Sequence, residues 1–88
     1  MTSSKNQPSP LMEVARLAGK MDNVAIALTN LPAGRQIDHG HKWSLIHPVL
    51  EGHRFAVMHI RRGEELLSWG YPFGRALRDI HPGDWIRN

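Results

Sequence analysis

Hydrophobic positions along the chain follow one pattern three times: alanine, an aliphatic residue, two variable positions, Ile or Leu, two variable positions, glycine, two variable positions and a closing aliphatic residue. The pattern runs from Ala27 through Leu28, Leu31 and Gly34 to Ile37, and from Ala56 through Val57, Ile60 and Gly63 to Leu66. It returns from Ala76 through Leu77, Ile80 and Gly83 to Ile86. The copies start 29 and 20 residues apart, an irregular spacing that excludes a solenoid of fixed period. Each copy reads as a strand end, a tight turn whose glycine supplies positive φ, and a second short strand or bend. Pro32 and Pro82 reinforce two of the turns by restricting their own φ to about −65°.

Short segments of alternating polarity lie between the turns, at residues 23–28, 53–58 and 65–69. Gly70, Pro72 and Gly74 then punctuate every second position, which forbids a long helix and favours short, kinked strands. The pattern therefore predicts a compact all-β domain. Its expected core is Val24, Ile26, Leu28, Leu31, Phe55, Val57, Ile60, Leu66, Leu67, Phe73, Ala76, Leu77, Ile80, Trp85 and Ile86. Before it, Leu11, Val14, Ala18 and Met21 fall at helical spacing, predicting one or two amphipathic turns ended near Gly19, or a leader that docks on a partner. Residues 1–10 are rich in Ser, Pro, Asn and Gln and read as a flexible tail. The expected division is a tail over 1–21 and a domain over 22–88.

At 88 residues the chain has room for one small domain, which buries only ~60–65% of its unfolded surface. A deep active site enclosed by one copy is not expected. The absence of cysteine removes disulfides, zinc-thiolate sites and cysteine nucleophiles together. The net charge of +3 is spread over both halves, and the adjacent pair Arg61 and Arg62 is followed at once by Glu64 and Glu65. Phosphate binding needs a clustered stripe of positive charge, so no nucleic-acid partner is expected. Nor does any apolar run reach the ~18 residues of a membrane span. No apolar run of secretory type follows Lys5, and a cytoplasmic location is the expectation.

The sequence has six histidines. His39 and His41 could share a strand face and bind a divalent metal if Asp38 or His47 supplied a third ligand. The competing reading is a solvated histidine-rich loop or hairpin. His59 and His81 read as exposed turn residues. His53 follows Gly52 and precedes Arg54, a pairing suited to an anionic substrate: Arg binds carboxylate through two parallel hydrogen bonds, and imidazole exchanges protons near neutral pH. The sequence contains neither a Ser-His-Asp order nor a phosphate-binding glycine loop.

Several motifs in order carry a more specific signal: Gly52-His53-Arg54-Phe55-Ala56-Val57, Ile60 with Gly63-Glu64, Trp69-Gly70-Tyr71-Pro72-Phe73-Gly74-Arg75-Ala76, Asp79-Ile80, and Gly83-Asp84-Trp85-Ile86 with Asn88. Together with residues 22–28 and 31–34 they resemble the SAF domain of the altronate and galactarate dehydratase family. The resemblance covers residues 22–88 and leaves 35–51 as a variable hairpin region. It implies a β-clip fold, and a role as the N-terminal part or small subunit of a dehydratase that removes water, or a group such as sulfite, from a sugar acid or related hydroxy acid. It further implies a divalent metal, usually iron, held mainly by a large subunit. By the same resemblance His53 is the catalytic candidate, and Arg54 and Asn88 are the substrate-binding ones. Arg54 stands where the family has Lys, so charge is kept but a base is lost. Trp69 replaces a Tyr and Arg87 a His. A large dehydratase subunit and a hydroxy-acid substrate are the expected partners. Self-association into a homo-oligomer and a non-enzymatic carbohydrate-binding or assembly module of the same type are the alternatives.

Overall fold

The computed structural model describes residues 7–86. In chain order they form β1 (Ser9–Pro10), α1 (Leu11–Val14), β2 (Ala15–Arg16), β3 (Val24–Ala27), β4 (Gln36–Asp38), β5 (Lys42–Ser44), β6 (Arg54–Ala56), β7 (Glu65–Ser68), β8 (Tyr71–Arg75) and β9 (Trp85–Ile86). An antiparallel sheet of order β2-β3-β6-β9 is flanked by a three-stranded sheet, β1-β4-β5, and by the hairpin β7–β8. The single turn of α1 is the only helix among the described residues, so the fold is all-β. No helix among them is long and apolar enough to cross a membrane.

The turn pattern occurs four times. Residues 45–55 form a further copy, with Leu45, Ile46, Val49, Gly52 and Phe55 in the defining positions, and its backbone follows the same course of bend, bridge, turn and strand. Sequence inspection misses it because Leu replaces Ala, Val replaces Ile or Leu, and Phe closes the unit. The glycines of the four units, Gly34, Gly52, Gly63 and Gly83, have φ of 84°, 84°, 89° and 93°. The units couple in pairs. Leu31 and Val49 exchange two backbone hydrogen bonds of 2.8 Å, and Ile60 and Ile80 exchange two of 2.9 and 2.8 Å. In both pairs the turn glycine donates to the first residue of the partner unit, Gly34 to Leu45 O and Gly63 to Ala76 O, each at 2.8 Å.

Packing explains why these positions repeat. Every first, fifth and closing residue of the four units is buried: Ala27, Leu31 and Ile37; Leu45, Val49 and Phe55; Ala56, Ile60 and Leu66; Ala76, Ile80 and Ile86. Burial of each larger side chain contributes ~1.5–3 kcal/mol. They divide into two clusters, one built on the first two units and including Phe55, the other on the last two. The region 35–51, expected to be variable, thus supplies Ile37, Leu45 and Val49 to the core.

Other expected core residues lie elsewhere. Leu28 and Leu77 occupy second positions, on the outside of their bends, and are 47% and 89% exposed, while Phe73 and Trp85 are also exposed and Ile26 and Leu67 half-buried. Leu77→Ala should therefore change stability by no more than about 0.5 kcal/mol in chemical denaturation, as for an ordinary surface substitution.

The amino-terminal expectation also changes. Packing does not begin at Asp22, because Leu11, Val14 and Ala15 are buried in the first cluster. The helix stops at Val14 rather than near Gly19, since Ala15 and Arg16 leave it to pair with Ala27 and Ile26 of β3. Residues 1–6 lie outside the described residues.

One buried carboxylate ties this segment to the β7–β8 hairpin. Asp22, 1% exposed, accepts backbone N–H groups from Gly19, Trp69 and Gly70, each at 2.8 Å. Trp69 and Gly70, at φ 58° and 78°, form the two-residue turn with both φ values positive that suits a tight hairpin. A Cβ on Gly19 would come within 2.6 Å of Asp22 Oδ1, so the clamp closes only over glycine. Burial raises the Asp22 carboxyl, but the three donors outweigh it and its pKa is lowered overall.

Candidate functional site: a cleft between two turn units

His53 lies just before β6, where Gly52 turns the chain, and is exposed. Its ring stacks against Trp85 of β9, with centroids 6.2 Å apart and planes inclined by 20°. The two rings line an open cleft of about 620 Å³ together with His47, Pro48, Leu50, Arg78 and Asp84. That volume lies within the range of small-molecule sites.

The cleft is built from equivalent positions of two units. His47 holds the same place in the second unit as Arg78 in the fourth, and His53, after Gly52, corresponds to Asp84, after Gly83. The pairing of Phe55 with Trp85 and of Arg54 with Ile86 brings the closing strands of those units together. Repetition of the turn thus delivers two loops to one place, and their sequence differences provide the chemistry. Asp84 Oδ2 accepts the His81 N–H at 3.0 Å and stands 3.5 Å from Arg78 Nη1. Arg78 Nη1 also donates to Asp79 O at 3.1 Å. Held at Nη1 by both acceptors and largely exposed, the Arg78 guanidinium is placed to receive an anion. Arg78 stands against Asp84, and His47, His53 and Trp85 line the cleft beside them, so a ligand there meets a guanidinium, two imidazoles and an aromatic face.

The expected partnership of His53 with Arg54 does not form on one face. Successive residues of an extended chain point to opposite sides, and Arg54 turns towards Phe73, its guanidinium carbon 5.1 Å from the ring centroid. Asn88, the other expected substrate contact, lies outside the described residues. Arg78, Asp84 and the role of Trp85 are found only in the fold. The available signal was the degenerate second unit, which aligns His47 with Arg78 and His53 with Asp84.

The remaining histidines are arranged otherwise. β4 ends at Asp38 and β5 begins at Lys42, so His39 and His41 form the hairpin tip around Gly40 and do not share a strand face. His39 N donates to His41 O at 3.0 Å. His59 and His81, exposed as expected, stack at 5.2 Å and 9°, and His59 Nε2 lies 3.8 Å from Asp79 Oδ2. The Arg62 N–H bonded to Asp79 Oδ1 lowers that carboxyl's pKa, opposed by burial and helped by the charges of His59, His81 and Arg61. Among the described residues no three His, Asp or Glu side chains converge as a metal site, so the donor set present does not fit a resident metal.

Comparison with known proteins places the chain in a family. A sequence model of the altronate/galactarate dehydratase SAF domain matches residues 15–88, from β2 through all four turn units. Altronate dehydratase of Escherichia coli (strain K12) is 38% identical over 64 residues, 72% of this chain and 13% of that protein. Altronate dehydratase of Bacillus subtilis (strain 168) is 29% identical over 68 residues, 76% of this chain and 14% of that protein. The chain thus spans about one-seventh of the length of these relatives. It belongs to the altronate/galactarate dehydratase SAF domain family.

Proposed function

We propose that this domain acts as the small subunit or N-terminal domain of a metal-dependent sugar-acid or hydroxy-acid dehydratase, closing over the active site and holding the substrate carboxylate. The observation that carries this reading is the cleft, in which His47, His53 and Arg78 gather around Trp85. Eliminating a β-hydroxyl from a carboxylic acid requires a base at the α-carbon, an acid at the departing oxygen and clamps on the carboxylate. The cleft offers Arg78 as a clamp and His53 as a proton-transfer or hydrogen-bonding group. The metal and the remaining groups are assigned to the rest of the dehydratase, since among the described residues no three His, Asp or Glu side chains converge.

In the complete dehydratase, Arg78→Ala should raise KM for the hydroxy acid by about tenfold or more, the usual loss for one charge-assisted hydrogen bond. His53→Ala should lower kcat/KM by at least a similar factor. Steady-state kinetics of both variants against the parent check this, and unchanged kinetics in both would leave the cleft without a part in turnover.

A further inference from the structure

Across the four-stranded sheet, Arg16, Ile26, Arg54 and Ile86 stand directly opposite one another, so they share one face. The β7–β8 hairpin meets that face at two points. The Arg16 guanidinium carbon sits 6.0 Å from the Trp69 ring centroid, and that of Arg54 is 5.1 Å from Phe73. With adjacent strands ~4.8 Å apart, the two arginines arise from positions roughly 10 Å apart on the sheet. Each cation is apposed to an aromatic ring, with half-buried Ile26 between them.

Neither arginine has a charged partner among the described residues, and Arg54 Nε is buried without a hydrogen-bond partner. The hairpin beside them is open: all of β8 is exposed, with Tyr71 at 74%, and Trp69 is 52% exposed. Trp69 is also the one non-glycine residue at positive φ among those described, a conformation that costs ~1–2 kcal/mol and is maintained by Asp22. Aromatic residues and arginine are the types that dominate binding energy at protein interfaces.

We propose that this face, formed by Arg16 with Trp69 and Arg54 with Phe73, and rimmed by Tyr71, docks an acidic segment of the dehydratase polypeptide that the domain serves. The inference rests on the proposed function above and adds the surface by which the two parts are held. Two cations without a carboxylate partner among the described residues call for an anionic partner. The relatives, in which the matched segment is 13–14% of the length, carry the remaining dehydratase sequence in the same chain. Docking is by side chains rather than by an added strand, because Pro72 removes a donor from β8. His53 projects from the opposite sheet face, so anchoring and substrate contact are separable.

The test measures affinity between this chain and the dehydratase polypeptide of the same organism that is homologous to the unmatched part of altronate dehydratase. The expected result is binding that weakens at high salt and falls by about tenfold or more in Arg16→Glu, Arg54→Glu and Tyr71→Asp. His53→Ala should bind within about twofold of the parent chain. Arg16 and Tyr71 are exposed, so these two variants, with unchanged thermal unfolding midpoints, separate lost docking from lost folding. If the parent chain binds and the exposed variants bind equally well, the face is not the dock and only this inference fails. If the parent chain does not bind, the proposed function falls and the inference with it.

Discussion

Asp22→Ala is expected to destabilise the domain by about 3–5 kcal/mol, more than any single surface ion pair could contribute. The substitution leaves the N–H groups of Gly19, Trp69 and Gly70 without their shared acceptor. Buried donors stripped of a charged partner retain the full desolvation cost. The loss extends beyond one loop, because the carboxylate joins the segment before β3 to the tip of the β7–β8 hairpin. Asp22→Asn should be intermediate, since its amide nitrogen would confront one of the three donors.

The same group imposes a pH dependence with a definite sign. The folded-state pKa of Asp22 is lowered from 3.8, so the unfolded chain takes up the proton more readily than the folded one. Its stabilising contribution is complete above about pH 4, near the unfolded pKa, and is lost as pH falls through the depressed folded value. Urea unfolding measured from pH 7 downwards should show this acid loss in the parent chain. The loss should be reduced in Asp22→Asn, with Asp79, whose pKa is also lowered, supplying part of the remainder.

Gly83→Ala is expected to cost about 3 kcal/mol, whereas Gly52→Ala should cost only about 1–2 kcal/mol. Both glycines occupy the turn position of a repeated unit, at φ 93° and 84°, so both substitutions incur the left-handed penalty. Their surroundings differ. A Cβ at Gly83 would stand 2.5 Å from Ser44 O and 3.3 Å from Leu45 Cα, while one at Gly52 would meet nothing within 4 Å. Backbone cannot move aside as a flexible side chain does, so the fourth turn must shift away from the second unit. That displacement would also widen the cleft, whose Asp84 and Trp85 follow Gly83 directly. Chemical denaturation of the two variants in parallel checks the difference.

Much of this architecture is legible in sequence because alanine, Ile or Leu, glycine and a closing aliphatic have fixed duties in each turn. The unit at 45–55 performs the same duties with Leu45, Val49 and Phe55, larger or differently branched residues that fill the first cluster. Its identity shows only when Val49 is seen bridging Leu31. Trp85 and Phe73 illustrate the opposite difficulty. Their hydrophobicity matches a core role, but Trp85 forms a wall of the cleft and Phe73 lies under Arg54. The Gly52-His53-Arg54 order and the resemblance both single out His53, whereas Arg78 and Asp84 reach it through pairing of distant strands, signalled only by the degenerate second unit. His39 and His41 show how strongly a turn alters chemistry: one glycine between them converts a possible strand face into a hairpin tip.

The most direct measurement of the central claim is turnover of aldonic, aldaric and sulfonated hydroxy acids by the proposed dehydratase polypeptide, assayed with and without this chain. Full activity on at least one substrate only when both are present is the predicted result. Equal activity of the dehydratase polypeptide alone would contradict the account and remove this domain from the catalytic assembly.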